Sequence, residues 1–424
     1  MDDKKIYLLA ADMGYGHQRA AYPLLAFSKD GAINLNNYEG IAAWEKAYWL
    51  NSLKSYEKIS YFKKVPLIGS LVFKVMDYFQ KIEPFYPRRD LSAVTIQQKM
   101  FLRVIKKGLG KDLIESLKKN PLPFVTTFFV AAYCAEYYNY PGKIYCIACD
   151  ADVSRAWAPL SPGQSKVIYL VPNQRVADRL QMYGVLLKNI KITGFPLPLE
   201  NIGDDDGILK TDLRRRLHAL DPIGSFRQVY SDLLGDDLRA TEENAQPLTV
   251  TFAVGGAGAQ REMGALILKK LTPFLEDNKV RLNLVAGSRT DVNNYFEQAI
   301  AAAGLAKNEN VRIVYHPQKM EYFRLFNVCL RDSDLLWTKP SELSFYAGLG
   351  LPIIMSEPVG SQEVFNREWL LSIGAGLDGG DPRFVDEWLF DWHQDGRLAR
   401  AALSAYLNAN HAGVNNIEKE VFNK

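Results

Sequence analysis

Apolar positions along this chain cluster in short runs. Residues 6–11 (IYLLAA), 124–130, 143–148, 166–171, 248–254, 280–287, 311–315 and 335–338 each read as a buried strand of four to eight residues. Between them the apolar positions recur at helical spacing, over 18–27, 173–184, 291–303, 320–329, 362–371 and 398–407. Gly184 closes one such segment. Strands apolar on both faces, alternating with amphipathic helices, predict parallel sheets covered by helices on each side. The alternation stops at 192-ITGFPLP-198 and resumes at Leu248. The polar stretch between, with Asp204, Asp205 and Asp206 and then Arg214, Arg215 and Arg216, reads as a linker or insertion. The expected architecture is α/β, with two Rossmann-like domains facing across a cleft: 1–198, a linker over 199–246, and 247–424.

Length and composition support this reading. A chain of 424 residues exceeds the usual size of one core. No run of about 18 apolar residues occurs, and the N-terminal apolar run is too short for a signal peptide. The expected location is the cytoplasm. A net charge of +3 makes no case for nucleic acid. Cys146 and Cys149 form a C-x-x-C, but no second pair accompanies them, and buried strand cysteines are the expectation. Charge is unevenly spread, however. Between Gly40 and Lys107 thirteen basic residues accompany five acidic ones, interleaved with aromatic residues. That pattern suits soluble amphipathic helices. It also suits a surface resting on anionic lipid, with Trp44, Lys58, Phe62, Lys63, Lys64, Phe73 and Lys74 as the contacts.

Candidate chemistry lies in the turns that follow strands. In 255-GGAGAQ-260, Gly255, Gly256 and Gly258 let a ligand approach the backbone, and the next helix offers free N–H groups, which suits a diphosphate. Gly14 and Gly16 do the same in 12-DMGYGH-17, where His17 can accept a proton or bond a hydroxyl. Packing and capping are the alternative roles for both turns. Thr338, Lys339, Pro340, Ser341 and Glu342 form a turn that opens a helix, with Glu342 a candidate partner for a ribose diol. Gln362, Glu363 and Asn366 supply amide and carboxylate groups suited to a sugar.

These residues together resemble a family. The chain is similar to the two-domain glycosyltransferases that include the diacylglycerol glycosyltransferases and the lipid-II-forming N-acetylglucosaminyltransferase. The match rests on 14-GYGHQRAA-21, on 149-CDADVSRAW-157, on 192-ITGFPLP-198, on 255-GGAGAQ-260, and on Thr338, Lys339, Pro340, Leu343, Ser344, Gly350, Leu351, Pro352, Gln362, Glu363 and Asn366. The chain departs from the pattern at Ser341-Glu342, where the family has Gly-Gly, and at Ser154 and Phe128, where histidines are usual. Its Pro340–Gly350 segment is also about two residues shorter. The resemblance implies the GT-B fold, a UDP-sugar donor and a lipid or lipid-linked acceptor at the cytoplasmic membrane surface. It implies a single inverting displacement that needs neither metal nor cofactor. Gly255 to Gly258 and Gln260 would hold the diphosphate, and Tyr315, His316, Met320 and Glu342 the base and ribose. Gln362, Glu363 and Asn366 would face the sugar, and His17 or Asp150 would act as base. A sugar-nucleotide epimerase of the same fold and a non-catalytic nucleotide- or lipid-binding relative are the alternatives.

Overall fold

The computed structural model describes residues 4–62, 81–235, 238, 246–255, 258, 260–358 and 360–423. The chain divides into two units, one of residues 1–196, 360–365 and 412–424, the other of 197–359 and 366–411.

The first unit is built on six strands: β1 (Ile6–Ala10), β2 (Ser28–Asn34), β3 (Phe124–Thr126), β4 (Ile144–Ile147), β5 (Val167–Val171) and β6 (Ile190–Ile192). They pair in parallel in the order β2-β1-β3-β4-β5-β6. On one face Leu9, Phe124, Cys146 and Tyr169 join a core with Val130, Cys134 and Val176. On the other, Leu8, Val125, Ile147 and Leu170 pack with Val414, Ile417 and Val421 of the last helix, Gly413–Phe422. That helix is held by Asn416 Nδ2, which donates to the Thr193 carbonyl at 2.9 Å. A Cβ on Gly413 would stand 2.0 Å from the Phe195 carbonyl oxygen, so only glycine allows this approach.

Three local readings change. The strand expected over 124–130 ends at Thr126, whose hydroxyl accepts from Phe128 N, and a helix runs over Phe129–Tyr137. The helix expected over 18–27 is a short helix, Gly16–Ala21, followed by a 3-10 turn, Tyr22–Phe27, with Pro23 near its start. Ser28–Asn34 is a strand with no apolar alternation, tolerated because it lies at the sheet's edge.

The second unit also has six parallel strands: β7 (Leu248–Ala253), β8 (Val280–Gly287), β9 (Val311–Tyr315), β10 (Leu335–Thr338), β11 (Ile353–Met355) and β12 (Gly376–Asp378). Their order is β12-β11-β10-β7-β8-β9. The polar stretch after Pro198 contributes to this unit. Leu213, Leu217 and Phe226 enter its core, as do Leu398, Ala399 and Ala402 of the helix Arg397–Asn408. Arg216, on the helix Gly207–Ala219, is buried and donates to the carbonyls of Ser333, Leu349, Gly350 and Leu330. Burial pushes its pKa down to about 10.

Candidate functional site

The first unit places His17 at the C-terminal end of β1, at the second position of the helix Gly16–Ala21. Gly14 has φ +103°, which only glycine adopts readily, and it turns the chain from strand to helix. Asp12 N is anchored by Asn36 Oδ1 at 2.7 Å. His17 is half-buried, and its Nδ1 lies 2.6 Å from the Thr127 carbonyl, just beyond β3. A carbonyl only accepts, so Nδ1 carries the proton and the basic lone pair sits on Nε2. The Thr127 hydroxyl returns a bond to the His17 carbonyl at 2.9 Å. The ring is edge-on to Phe128 at 4.9 Å and lies 6.3 Å from Trp157. Phe128, where the resembled family has histidine, thus packs against the His17 ring.

Asp150 follows β4 and is partly exposed. The nearby Asp152 is fully committed elsewhere. Its carboxylate takes Arg175 Nε at 2.8 Å and two nitrogens of Arg179 at 2.9 Å, and Asp152 and Arg179 are both wholly buried. Burial works against the Arg179 charge, but the bond to Asp152 outweighs it and the pKa rises. This pair fixes the loop that carries Asp150. Cys146 and Cys149 are buried and form no disulfide, and burial pushes the Cys146 pKa up.

In the second unit the glycine turn follows β7. Gly258 has φ +69°, and its N–H donates to the Gly255 carbonyl at 2.8 Å. Gly256 lies outside the described residues. A Cβ on Gly255 would stand 2.5 Å from Lys339 Cε, and one on Gly258 would stand 2.9 Å from Arg289 Nε. Lys339 follows β10 and Arg289 follows β8, so the strands on either side of β7 each send a cation across the turn. Arg289 is held by Asp291, Nε to Oδ1 at 3.1 Å, and Arg261 reaches the same carboxylate at 3.3 Å. Burial would raise the Asp291 pKa, but the Arg289 bond and the neighbouring charges hold it below the usual carboxylate range. Arg261 Nε also reaches Glu262 Oε1 at 3.4 Å, so Asp291 and Glu262 both answer the arginines at this turn.

Further groups line the same strand ends. Thr338 Oγ1 donates to the Ala253 carbonyl at 3.2 Å, tying β10 to β7. Asn366 is fully buried and its Nδ2 donates to the Pro340 carbonyl at 3.3 Å. Gln260 has φ +72°, and its Nε2 donates to the Glu357 carbonyl at 3.5 Å. Ser341 and the partly exposed Glu342 lead into a 3-10 helix, Glu342–Leu349, where an ordinary helix was expected. Beyond β9, His316 is partly exposed and Met320 exposed. Tyr315 Oη and Thr290 Oγ1 are 2.9 Å apart. Gln362 and Glu363, on the helix Ser361–Ser372, group with the first unit instead; Glu363 is buried and Gln362 partly exposed. Among the described residues no group of three or more His, Cys, Asp or Glu could hold a metal ion.

The expected lipid-facing residues divide. Trp44 is exposed on the helix Ala43–Phe62, whereas Trp49, on the same helix, is in the core. The side chains of Lys58 and Phe62, and all of Lys63, Lys64, Phe73 and Lys74, lie outside the described residues. Among the described residues no helix is long and apolar enough to cross a membrane.

Comparison with solved structures then defines the fold. MnaA of S. aureus, solved with UDP, covers 99% of this chain and 96% of its own, at 11% identity and a TM-score of 0.50. The fold is GT-B. MurG of Acinetobacter baumannii (12% identity, 98% of each chain, TM-score 0.49) is also similar. So is the UDP-GlcNAc 2-epimerase of Neisseria meningitidis bound to UDP-GlcNAc (12% identity, 98% of each chain, TM-score 0.48). A domain of unknown function, DUF6938, matches residues 235–309 and 288–377. No curated protein matches the sequence. Arg289, which sequence reasoning missed, falls within that matched region. Its signal was its position, directly after a strand of the central sheet.

Proposed function

We propose that this chain is a glycosyltransferase that uses a nucleotide-diphosphate sugar, with UDP as the nucleotide. The observation that carries the reading is the convergence of Lys339 and Arg289 on the Gly255–Gly258 turn. Open parallel sheets bind ligands beyond the carboxyl ends of their strands, and here two cations from flanking strands meet a glycine backbone at that edge. A diphosphate is the group that uses both charges. In the transfer step the acceptor oxygen bonds the anomeric carbon while the bond from that carbon to the β-phosphate oxygen breaks. The diphosphate leaves with the electron pair, and Lys339 and Arg289 stabilise its developing charge. The acceptor hydroxyl gives its proton to His17 Nε2, with Asp150 the second candidate base. Glu342 bonds the ribose diol. Gln362, Glu363 and Asn366 serve the sugar.

A lipid or lipid-linked alcohol at an anionic membrane surface is the acceptor we favour, supported by the basic, aromatic composition of 40–107 and the exposed Trp44. Calorimetric titration with UDP tests the donor site, and UDP release from a UDP-sugar panel tests the reaction. UDP released with sugar transferred to a lipid extract supports glycosyl transfer. Interconversion of UDP-sugars without UDP release would replace it with the epimerase reading. No UDP binding by the wild-type chain would overturn both.

A further inference from the structure

A cavity lies at the end of the first unit's sheet away from His17. It encloses about 660 Å³, within the range of small-molecule sites. Lys143 and Lys166, which directly precede β4 and β5, stand at it, so it opens at the amino ends of these strands. His17, Thr127 and Asp150 stand at the carboxyl ends. A strand rises about 3.3 Å per residue, so the five residues of β5 separate the two edges by roughly 15 Å. The cavity is therefore separate from the turn that holds His17.

Its lining is divided by chemistry. The body is apolar and aromatic: Tyr133, Tyr137, Tyr140, Leu102, Leu160 and Pro141. Two of the three tyrosine hydroxyls are spent on the fold: Tyr133 donates to the Ala156 carbonyl at 2.6 Å and Tyr140 to the Leu122 carbonyl at 2.7 Å. The rings are thus offered as apolar faces. Tyr137 is 43% exposed and packs edge-on to Tyr138 at 5.1 Å, so its ring is accessible at the cavity. Among the lining residues Glu136 alone is acidic, and it already accepts from Ser165 Oγ at 2.8 Å and Lys166 N at 2.6 Å. The two exposed lysines therefore leave the mouth cationic.

We infer that this cavity is a binding site for a small anionic amphiphile, with an apolar body between the tyrosine rings and one phosphate or sulfonate-like head at Lys143 and Lys166. The inference does not depend on the glycosyl-transfer reading. Two of its walls also reach the His17 end: the helix Phe129–Tyr137 begins beside Phe128, and the chain leaving β4 passes Asp150 and Trp157 before Leu160.

The test titrates the full chain with 8-anilinonaphthalene-1-sulfonate and follows its fluorescence. Dodecyl phosphate and 1-naphthyl phosphate then compete. One saturable site, displaced by at least one phosphate, is expected. Displacement by the alkyl phosphate alone assigns an aliphatic body and by the naphthyl phosphate alone an aromatic one, and either supports the site. Lys143→Glu with Lys166→Glu should weaken binding by about tenfold or more. Both side chains are exposed, so the fold is retained. Lys188→Glu with Lys307→Glu makes the same charge change elsewhere and should leave affinity unchanged. Equal weakening by both pairs, absence of saturable binding, or displacement by neither phosphate would overturn the proposal.

Discussion

Gly255→Ala isolates what the glycine turn does. The new methyl would meet Lys339 Cε at 2.5 Å, well inside contact distance. The clash is with the far part of a flexible side chain, so Lys339 swings aside and stability changes by no more than about 1 kcal/mol. What is lost is the placement of the ammonium over the turn. A hydrogen bond to a charged group is worth about 1.5–3 kcal/mol, so UDP affinity should fall roughly 10- to 150-fold. Lys339→Ala should produce a loss of the same order. The decisive measurement is the double variant, titrated with UDP by calorimetry. If the methyl acts by displacing Lys339, the double variant binds no worse than Lys339→Ala alone, and the coupling energy nearly equals one single effect. Additive losses would refute this, because the methyl would then be blocking the nucleotide itself. Normal UDP affinity in both single variants would remove the turn from the site altogether.

Three further outcomes follow from particular contacts. His17→Gln should reduce transfer by about 10²- to 10⁴-fold while UDP affinity and melting temperature hold, and an undiminished turnover number would move the base to Asp150. Asp152→Ala leaves Arg179 buried without its carboxylate and should cost about 3–5 kcal/mol in urea unfolding; a loss under 1 kcal/mol would mean the loop rearranges to solvate the arginine. Burial lowers the pKa of His393, whose Nε2 bonds the Ala219 carbonyl at 2.7 Å. The unfolded chain then binds more protons than the folded one, so stability is lost as pH falls through about 6.5, and His393→Gln should flatten that part of the profile.

The sequence reveals most where one physical signal acts alone. The strands β1, β7, β8 and β10 are apolar runs closed by glycine or a Lys-Pro turn, and both the sheets and the turns that follow are readable from them. Signals fail where burial is uniform or the edge is polar. The helix Phe129–Tyr137 is buried on nearly every side, so it has no helical stripe and reads as a continuation of β3. β2 carries Lys29, Asp30 and Gly31 because its outer side needs no apolar partner. Arg289 was overlooked because a lone arginine in a Ser-Arg-Thr turn has no motif; only the sheet order, which sets β8 beside β7, gives it a role. The stretch after Pro198 looked too polar for a core, yet five apolar positions, Leu213, Leu217, Leu220, Phe226 and Leu234, seat it.

The segment after Lys339 shows how a short connection can join two paired strands. The chain must cross from the end of β10 to the start of β11, which pair in register from Leu336 with Ile353 to Thr338 with Met355. An α-helix rises about 1.5 Å per residue and a 3-10 helix about 2.0 Å. The eight residues of Glu342–Leu349 therefore cover about 16 Å, which an α-helix would need ten or eleven residues to match. The tighter helix thus spans the distance in two or three fewer residues. The tighter helix has poorer hydrogen bonds and needs outside support. Arg216 gives it, donating to the Leu349 and Gly350 carbonyls at its C-terminus, where Gly350 turns with φ +67°. At the other end Asn366 holds the Pro340 carbonyl. Thr338 and Lys339 consequently keep their place at the end of β10. Glu342, the first acidic side chain after the turn, stands at the start of this helix as the candidate for the ribose.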